Sequence, residues 1–136
     1  MDGYNVIFAW DELKKIAAEN LDAARRRLMD ILCNYAGYRK CVPILVFDAY
    51  RVKGAGREQE TWHNLHVIYT REAETADMFI ERATHELAKN HRVRVVSSDG
   101  AEQIIILGNG ALRVSARAFE REVRAVEAEI REFLDQ

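Results

Sequence analysis

Apolar residues along the chain fall at two spacings. After Asn20, a residue suited to capping a helix, Leu21, Ala24, Leu28, Ile31, Leu32 and Tyr35 recur on one helical face, and Gly37 reads as the stop. Residues 42–47 form a short continuous apolar run, as expected of a strand buried on both faces of a parallel sheet. Residues 49–60 carry Gly54, Gly56, Lys53 and Arg57 with few apolar anchors, which predicts a mobile loop. A second strand is predicted over 65–69, and a helix over 75–90 with Ala76, Phe79, Ile80, Ala83 and Leu87 on one stripe. A third strand follows over 92–97, then a short helix over 100–107 ended by Gly108-Asn109-Gly110. The segment 115–134 reads as a long amphipathic helix with Phe119, Val123, Val126, Ile130 and Phe133 on one side. Strands alternating with helices predict an α/β fold with a mainly parallel central sheet.

Composition narrows the picture little. The 136 residues are 49% hydrophobic and 31% charged, which predicts one globular domain over 1–136. The formal net charge of −2 excludes a uniformly basic nucleic-acid coat but not a nuclease, whose site is itself acidic. No apolar run approaches the roughly 20 residues that span a bilayer, and no basic-then-apolar leader opens the chain. A cytoplasmic or equivalent reducing compartment is therefore expected, with no membrane partner. Cys33 and Cys41 form no C-x-x-C pair and read as free thiols.

The acidic residues gain meaning from the predicted sheet, because parallel sheets bind ligands beyond the carboxyl ends of their strands. Asp48 ends one strand, Asp99 follows another, Glu74 and Asp77 open the helix after a third, and Asp2 precedes the apolar stretch 6–10. Converging carboxylates repel one another, and hard oxygen donors in that number suit Mg²⁺ or Mn²⁺. Each acid also has a plainer explanation. Asp99 and Glu102 have the spacing of a capping box, Glu74 and Asp77 favour a helix's positive end, and Asp48 can simply terminate a strand.

The segments DGYNVI from Asp2, VFDAY from Val46, ETADMFIE from Glu74, SSDGAEQ from Ser97 and GNGALRVSA from Gly108 resemble the YacP-like branch of the NYN-domain ribonucleases. These are relatives of the PIN and 5′-nuclease folds, and the resemblance runs in order over essentially the whole chain. It implies a PIN-like three-layer α/β sandwich and a metal-dependent endoribonuclease that uses Mg²⁺ or Mn²⁺ on single-stranded RNA, with mRNA on the ribosome as substrate. By the same resemblance Asp2, Asp77 and Asp99 are the core catalytic metal ligands, and Glu74, Asp48 and Glu102 are secondary ones. Asn5 steadies the first Asp or a substrate phosphate, while Arg113, Ser115 and Lys53 lie near the RNA. Family members carry an apolar strand ahead of the first Asp. Here Met1 alone precedes it, so a truncated first strand and a natural start upstream are expected.

Other signals carry less. His63 and His66, three apart on an extended segment, point to opposite faces and cannot chelate together. The G-x-G pairs at 54–56 and 108–110 lack the third glycine of a dinucleotide fingerprint. Arg25-Arg26-Arg27 reads as a solvated helix face, Trp10 as core, and Trp62 as the better candidate for stacking on a base. Three rivals remain: a non-catalytic RNA- or ribosome-binding module on the same scaffold, a phospho-acceptor receiver domain and a structure-specific DNA nuclease. The receiver lacks its paired acids and its Lys after the last strand. The DNA nuclease lacks room for its extra helices.

Overall fold

The computed structural model describes residues 1–48, 59–71, 73–97, 105–106 and 110–136. Among the described residues, five helices run α1 (Gly3–Ala9), α2 (Asp11–Glu19), α3 (Leu21–Arg39), α4 (Ala76–Leu87) and α5 (Ala116–Leu134). The same residues form six strands, β1 (Ile44–Phe47), β2 (Gln59–Trp62), β3 (Leu65–Tyr69), β4 (Arg94–Ser97), β5 (Ile105–Ile106) and β6 (Leu112–Ser115).

The strands form two groups of three, β2-β3-β1 and β4-β6-β5. Within them β1 runs parallel to β3, with Phe47 opposite Tyr69, and β4 runs parallel to β6, with Ser97 opposite Ser115. The edge strands β2 and β5 are antiparallel. Met1 and Asp2 join the two groups. Asp2 bridges Val46 in parallel, Val46 N donates to Met1 O at 2.9 Å, and Asp2 N donates to Val96 O at 3.0 Å. These two residues hold the strand position between β1 and β4, which gives a mainly parallel sheet with its topological switch point at Asp2.

Helices cover both faces. Leu45 and Phe47 belong to the main core, with Val96 of β4 and the inward residues of α1, α3 and α5. Val46 and Val95, one residue out of phase, are buried on the opposite face, where α4 packs on β1. The result is the three-layer α/β sandwich. Trp10 ties its helical layer together. It is fully buried, its ring lies 6.2 Å from that of Phe119, and its Nε1 donates to Ala116 O at 2.8 Å.

Several elements differ from the pattern expected of the sequence. Gly37 is not a stop: α3 runs on to Arg39, and Lys40 ends it in the left-handed region at φ 54°. The proposed loop 49–60 gives way to β2 at Gln59, and the rest of it, with Lys53, lies outside the described residues. Of the proposed helix over 100–107, Ile105 and Ile106 are strand, paired antiparallel to β6. The other residues of that segment are outside the described set. Arg25 is buried rather than solvated, and the first two helices were not legible as such.

Candidate functional site

The site grows from the end of the central strand position. Asp2 is the last residue there and at once the N-cap of α1, so its carboxylate is aimed by both elements. Its Oδ1 accepts from Asn5 N at 3.3 Å and its Oδ2 from Asn5 Nδ2 at 2.8 Å. Asp2 is only 7% exposed. Burial pushes its carboxyl above the usual carboxylate range. The Asn5 hydrogen bond opposes that rise, and the negative charges of Asp77 and Asp48 add to it.

Asp48 directly follows β1 and accepts from Ala76 N at 2.7 Å through Oδ1. That bond satisfies an orphan donor of α4 and pins the helix's first turn beside the strand end. Thr75 caps the same turn, its Oγ1 accepting from Met78 N at 3.2 Å. Asp77 is thereby carried, exposed, to a position where Asp2 senses its charge. Glu74 precedes the cap. Its Oε1 is buried and lies 2.9 Å from Arg82 Nη1, yet the two are not aligned for a hydrogen bond. Among the described residues this oxygen has a counter-charge but no aligned hydrogen-bond donor.

Arg113 of β6 donates from Nε and Nη2 to Ser97 Oγ, at 3.2 and 3.1 Å, which turns its guanidinium along the sheet toward the end of β4. Ser115 caps α5, its Oγ accepting from Ala118 N at 3.1 Å. Asp99, Glu102 and Lys53 lie outside the described residues. Among the described residues, no three acidic, His or Cys side chains stand close enough to hold a metal ion. The donors that the described residues offer, on Asp2, Asp48, Asp77 and Glu74, are all carboxylate oxygens. Their chemistry fits a hard divalent ion such as Mg²⁺ or Mn²⁺ and not a thiolate- or imidazole-bound metal.

A family model described as the YacP-like NYN domain matches residues 1–136. The chain belongs to the YacP-like NYN family. This is a family of nuclease type. The YacP protein of Bacillus subtilis strain 168 is 43% identical over 131 residues, covering 96% of this chain and 76% of the relative. The crystal structure of Rae1 (YacP) from Bacillus subtilis superposes with a TM-score of 0.82 at 41% identity, over 98% of this chain and 77% of that one. A point variant of that protein matches with a TM-score of 0.79 at 39% identity, over 96% of this chain and 76% of the other. No helix among the described residues is long and apolar enough to cross a membrane.

The NYN site also rests on residues that carry no chemistry of their own. Gly3 is one. A Cβ there would come within 2.3 Å of the Phe47 ring, so α1 can lie this close to β1 only with a glycine in the DGYN segment. Tyr4 and Arg25 are the others. Both are buried, and Arg25 Nη1 donates to the Tyr4 hydroxyl at 3.1 Å while its Nη2 pairs with Asp22 at 2.9 Å. Helical spacing does mark Arg25, which stands four residues after Leu21 and three before Leu28 on the buried stripe.

Proposed function

We propose that this NYN protein is an endoribonuclease that hydrolyses phosphodiester bonds of single-stranded RNA with Mg²⁺ or Mn²⁺, its substrate being mRNA on the ribosome. Asp2, Asp77 and Asp99 would hold the metal, with Glu74, Asp48 and Glu102 completing or orienting its shell. When bound, such an ion supplies activation of water and neutralisation of charge on the phosphate and leaving oxygen. The chain's own residues do the rest. Asn5 fixes the rotamer of Asp2, Asp48 fixes α4 and so Asp77, and Arg113 offers a guanidinium to an RNA phosphate at the same edge. Ser115 and Lys53 are assigned to the RNA side as well, although the Ser115 hydroxyl is also engaged in capping α5.

The observation that carries this reading is the environment of Asp2: a carboxylate buried at the switch point of a parallel sheet, with the charges of Asp77 and Asp48 directed at it. Negative charge near a buried carboxylate opposes its ionisation, and a bound cation would offset that cost. The decisive experiment incubates the protein with RNA and with translating ribosomes, with and without Mn²⁺, and maps the 5′ ends produced. Mn²⁺-dependent new ends that vanish in Asp77→Asn support the proposal. RNA or ribosome binding without new ends would establish the non-catalytic module instead.

A further inference from the structure

Several arginines of this chain stand where stability asks for them. Arg39 and Arg131 lie in the last turns of α3 and α5, at the negative ends of those helices, and Arg94 and Arg124 are ion-paired with Glu122 and Glu12. Arg117 and Arg121, on the outer face of α5, break that pattern. Arg117 is the second residue of the helix, whose first turn holds no acid, so its charge faces the positive end of the helix dipole. Arg121 follows four residues later, and like charges at that spacing repel one another.

Both residues are exposed, and among the described residues neither has an ion pair or a hydrogen bond to offset these costs. The carboxylates nearest them on α5 are engaged elsewhere, Glu120 with Arg124 and Glu122 with Arg94. The pair also begins at the site's edge of the sheet. Asp2 N donates to Val96 O, and Val96 pairs with Val114, so Asp2, β4 and β6 hold successive places. β6 ends at Ser115, where α5 starts, two strand spacings or about 10 Å from Asp2. Arg121 lies about 6 Å beyond Arg117 along the helix.

Resting on the ribonuclease reading above, we infer that Arg117 and Arg121 bind the sugar–phosphate backbone of the RNA strand where it leaves the site over α5. A guanidinium matches phosphate oxygens with two parallel N–H groups and stays charged at any working pH. Such a contact reads no base, so it adds affinity without sequence preference. It also supplies what a chain of net charge −2 lacks elsewhere. The carboxylates of the site repel a polyanion, and two uncompensated cations beside them restore a local attraction.

The test follows a single-stranded RNA as salt is varied, by binding in chelator and by kcat/KM with Mn²⁺. The proteins are wild type, Arg117→Gln, Arg121→Gln, the neutral double variant Arg117→Gln/Arg121→Gln and the charge-keeping Arg117→Lys/Arg121→Lys. Each phosphate contact to a single strand contributes about 0.7 to the slope of log affinity against log salt. Each single Gln change should lower that slope by about 0.7. The neutral double variant should lower it by about 1.4, a loss of about 25-fold in affinity at 0.1 M salt that fades toward 1 M. Arg117→Lys/Arg121→Lys should keep the slope. Melting temperatures of the Gln variants should equal or exceed that of wild type, because repulsion is relieved. An unchanged affinity and slope in the neutral double variant, or a loss of binding that comes with a lowered melting temperature, overturns the backbone contact alone. A wild-type protein that neither binds nor cuts RNA overturns the ribonuclease reading and the contact with it.

Discussion

The side-chain amide of Asn5 reaches back one helical turn to donate to Asp2 Oδ2 at 2.8 Å, while the Asn5 backbone N–H serves Oδ1. One residue therefore satisfies both oxygens of a buried carboxylate, and that arrangement has a measurable consequence. Asn5→Ala removes a hydrogen bond to a charged group and should cost about 1.5–3 kcal/mol in chelator. Asn5→Asp replaces the donor with an anion and should cost more at neutral pH, since like charges then face each other. Denaturant melts of the three proteins check this. Equal stability of Asn5→Ala and wild type would mean that Asp2 is held by the strand and cap alone.

Asp2 also sets a pH dependence. Burial, joined by the charges of Asp77 and Asp48, raises its folded-state pKa above the unfolded value. The folded protein then binds the proton more tightly than the unfolded chain. The stability linked to this group is fully present below the unfolded pKa and is lost as pH rises through the folded one. Asp2→Asn keeps a capping oxygen for Asn5 N, and the Asn5 amide can turn its own oxygen toward the new Nδ2. In metal-free buffer the wild type should lose stability relative to Asp2→Asn as pH rises from the acid range, and the gap should level off toward neutrality. Paired thermal melts from pH 4 to 8 read the slope. The opposite slope would show that the folded state favours the ionised carboxylate.

Gly3 gives a purely steric prediction. Gly3→Ala places a methyl group 2.3 Å from the nearest atom of the Phe47 ring and must push α1 off β1 or turn the ring out of its stack with Tyr69. Overpacking of this kind costs about 1–3 kcal/mol. Phe47→Leu is destabilising by itself, but it vacates the contested space. The double variant should therefore be more stable than the sum of the two single changes predicts, by about 0.5 kcal/mol or more. Strict additivity would show that the two sites do not contact one another in solution.

The elements that could be read from sequence are those whose cause is local. α3 and α5 carry side-chain caps at Asn20 and Ser115 and a continuous apolar stripe, so the pattern alone specifies them. β2 was hidden because Gln59, Glu60, Thr61 and Trp62 form a largely exposed edge strand with no alternation to betray it. Ile105 and Ile106 sit in a run of four apolar residues that fits a helix or a strand equally, and pairing with β6 decides the matter. Of the acids expected at strand ends, Asp48 directly after β1 was legible once a parallel sheet was assumed, while Asp99 lies outside the described residues. The bonds that assemble them were legible only in part. Asn5 to Asp2 spans three residues, whereas Asp48 to Ala76 spans 28 and exists only in the folded chain.

Asp77 separates a metal centre from a set of helix-terminus charges. It lies in the first turn of α4, where an acid favours the positive end of the helix dipole by about 0.3–1 kcal/mol. It also adds negative charge beside the buried Asp2. Asp77→Asn preserves the size of the side chain and removes that charge. In chelator the relief of repulsion should outweigh the lost dipole contact and leave the variant slightly more stable than wild type. With Mn²⁺ the order should reverse, because only the wild type gains RT ln(1 + [L]/Kd), about 2.7 kcal/mol at a hundredfold excess over Kd. Four thermal midpoints, each protein with chelator and then with Mn²⁺, give the comparison, and RNA cleavage by the variant should be abolished. If Asp77 served the helix dipole alone, the variant would be mildly destabilised in chelator. It would also keep its Mn²⁺ response and cleave RNA like wild type, and that pattern would remove Asp77 from the metal site.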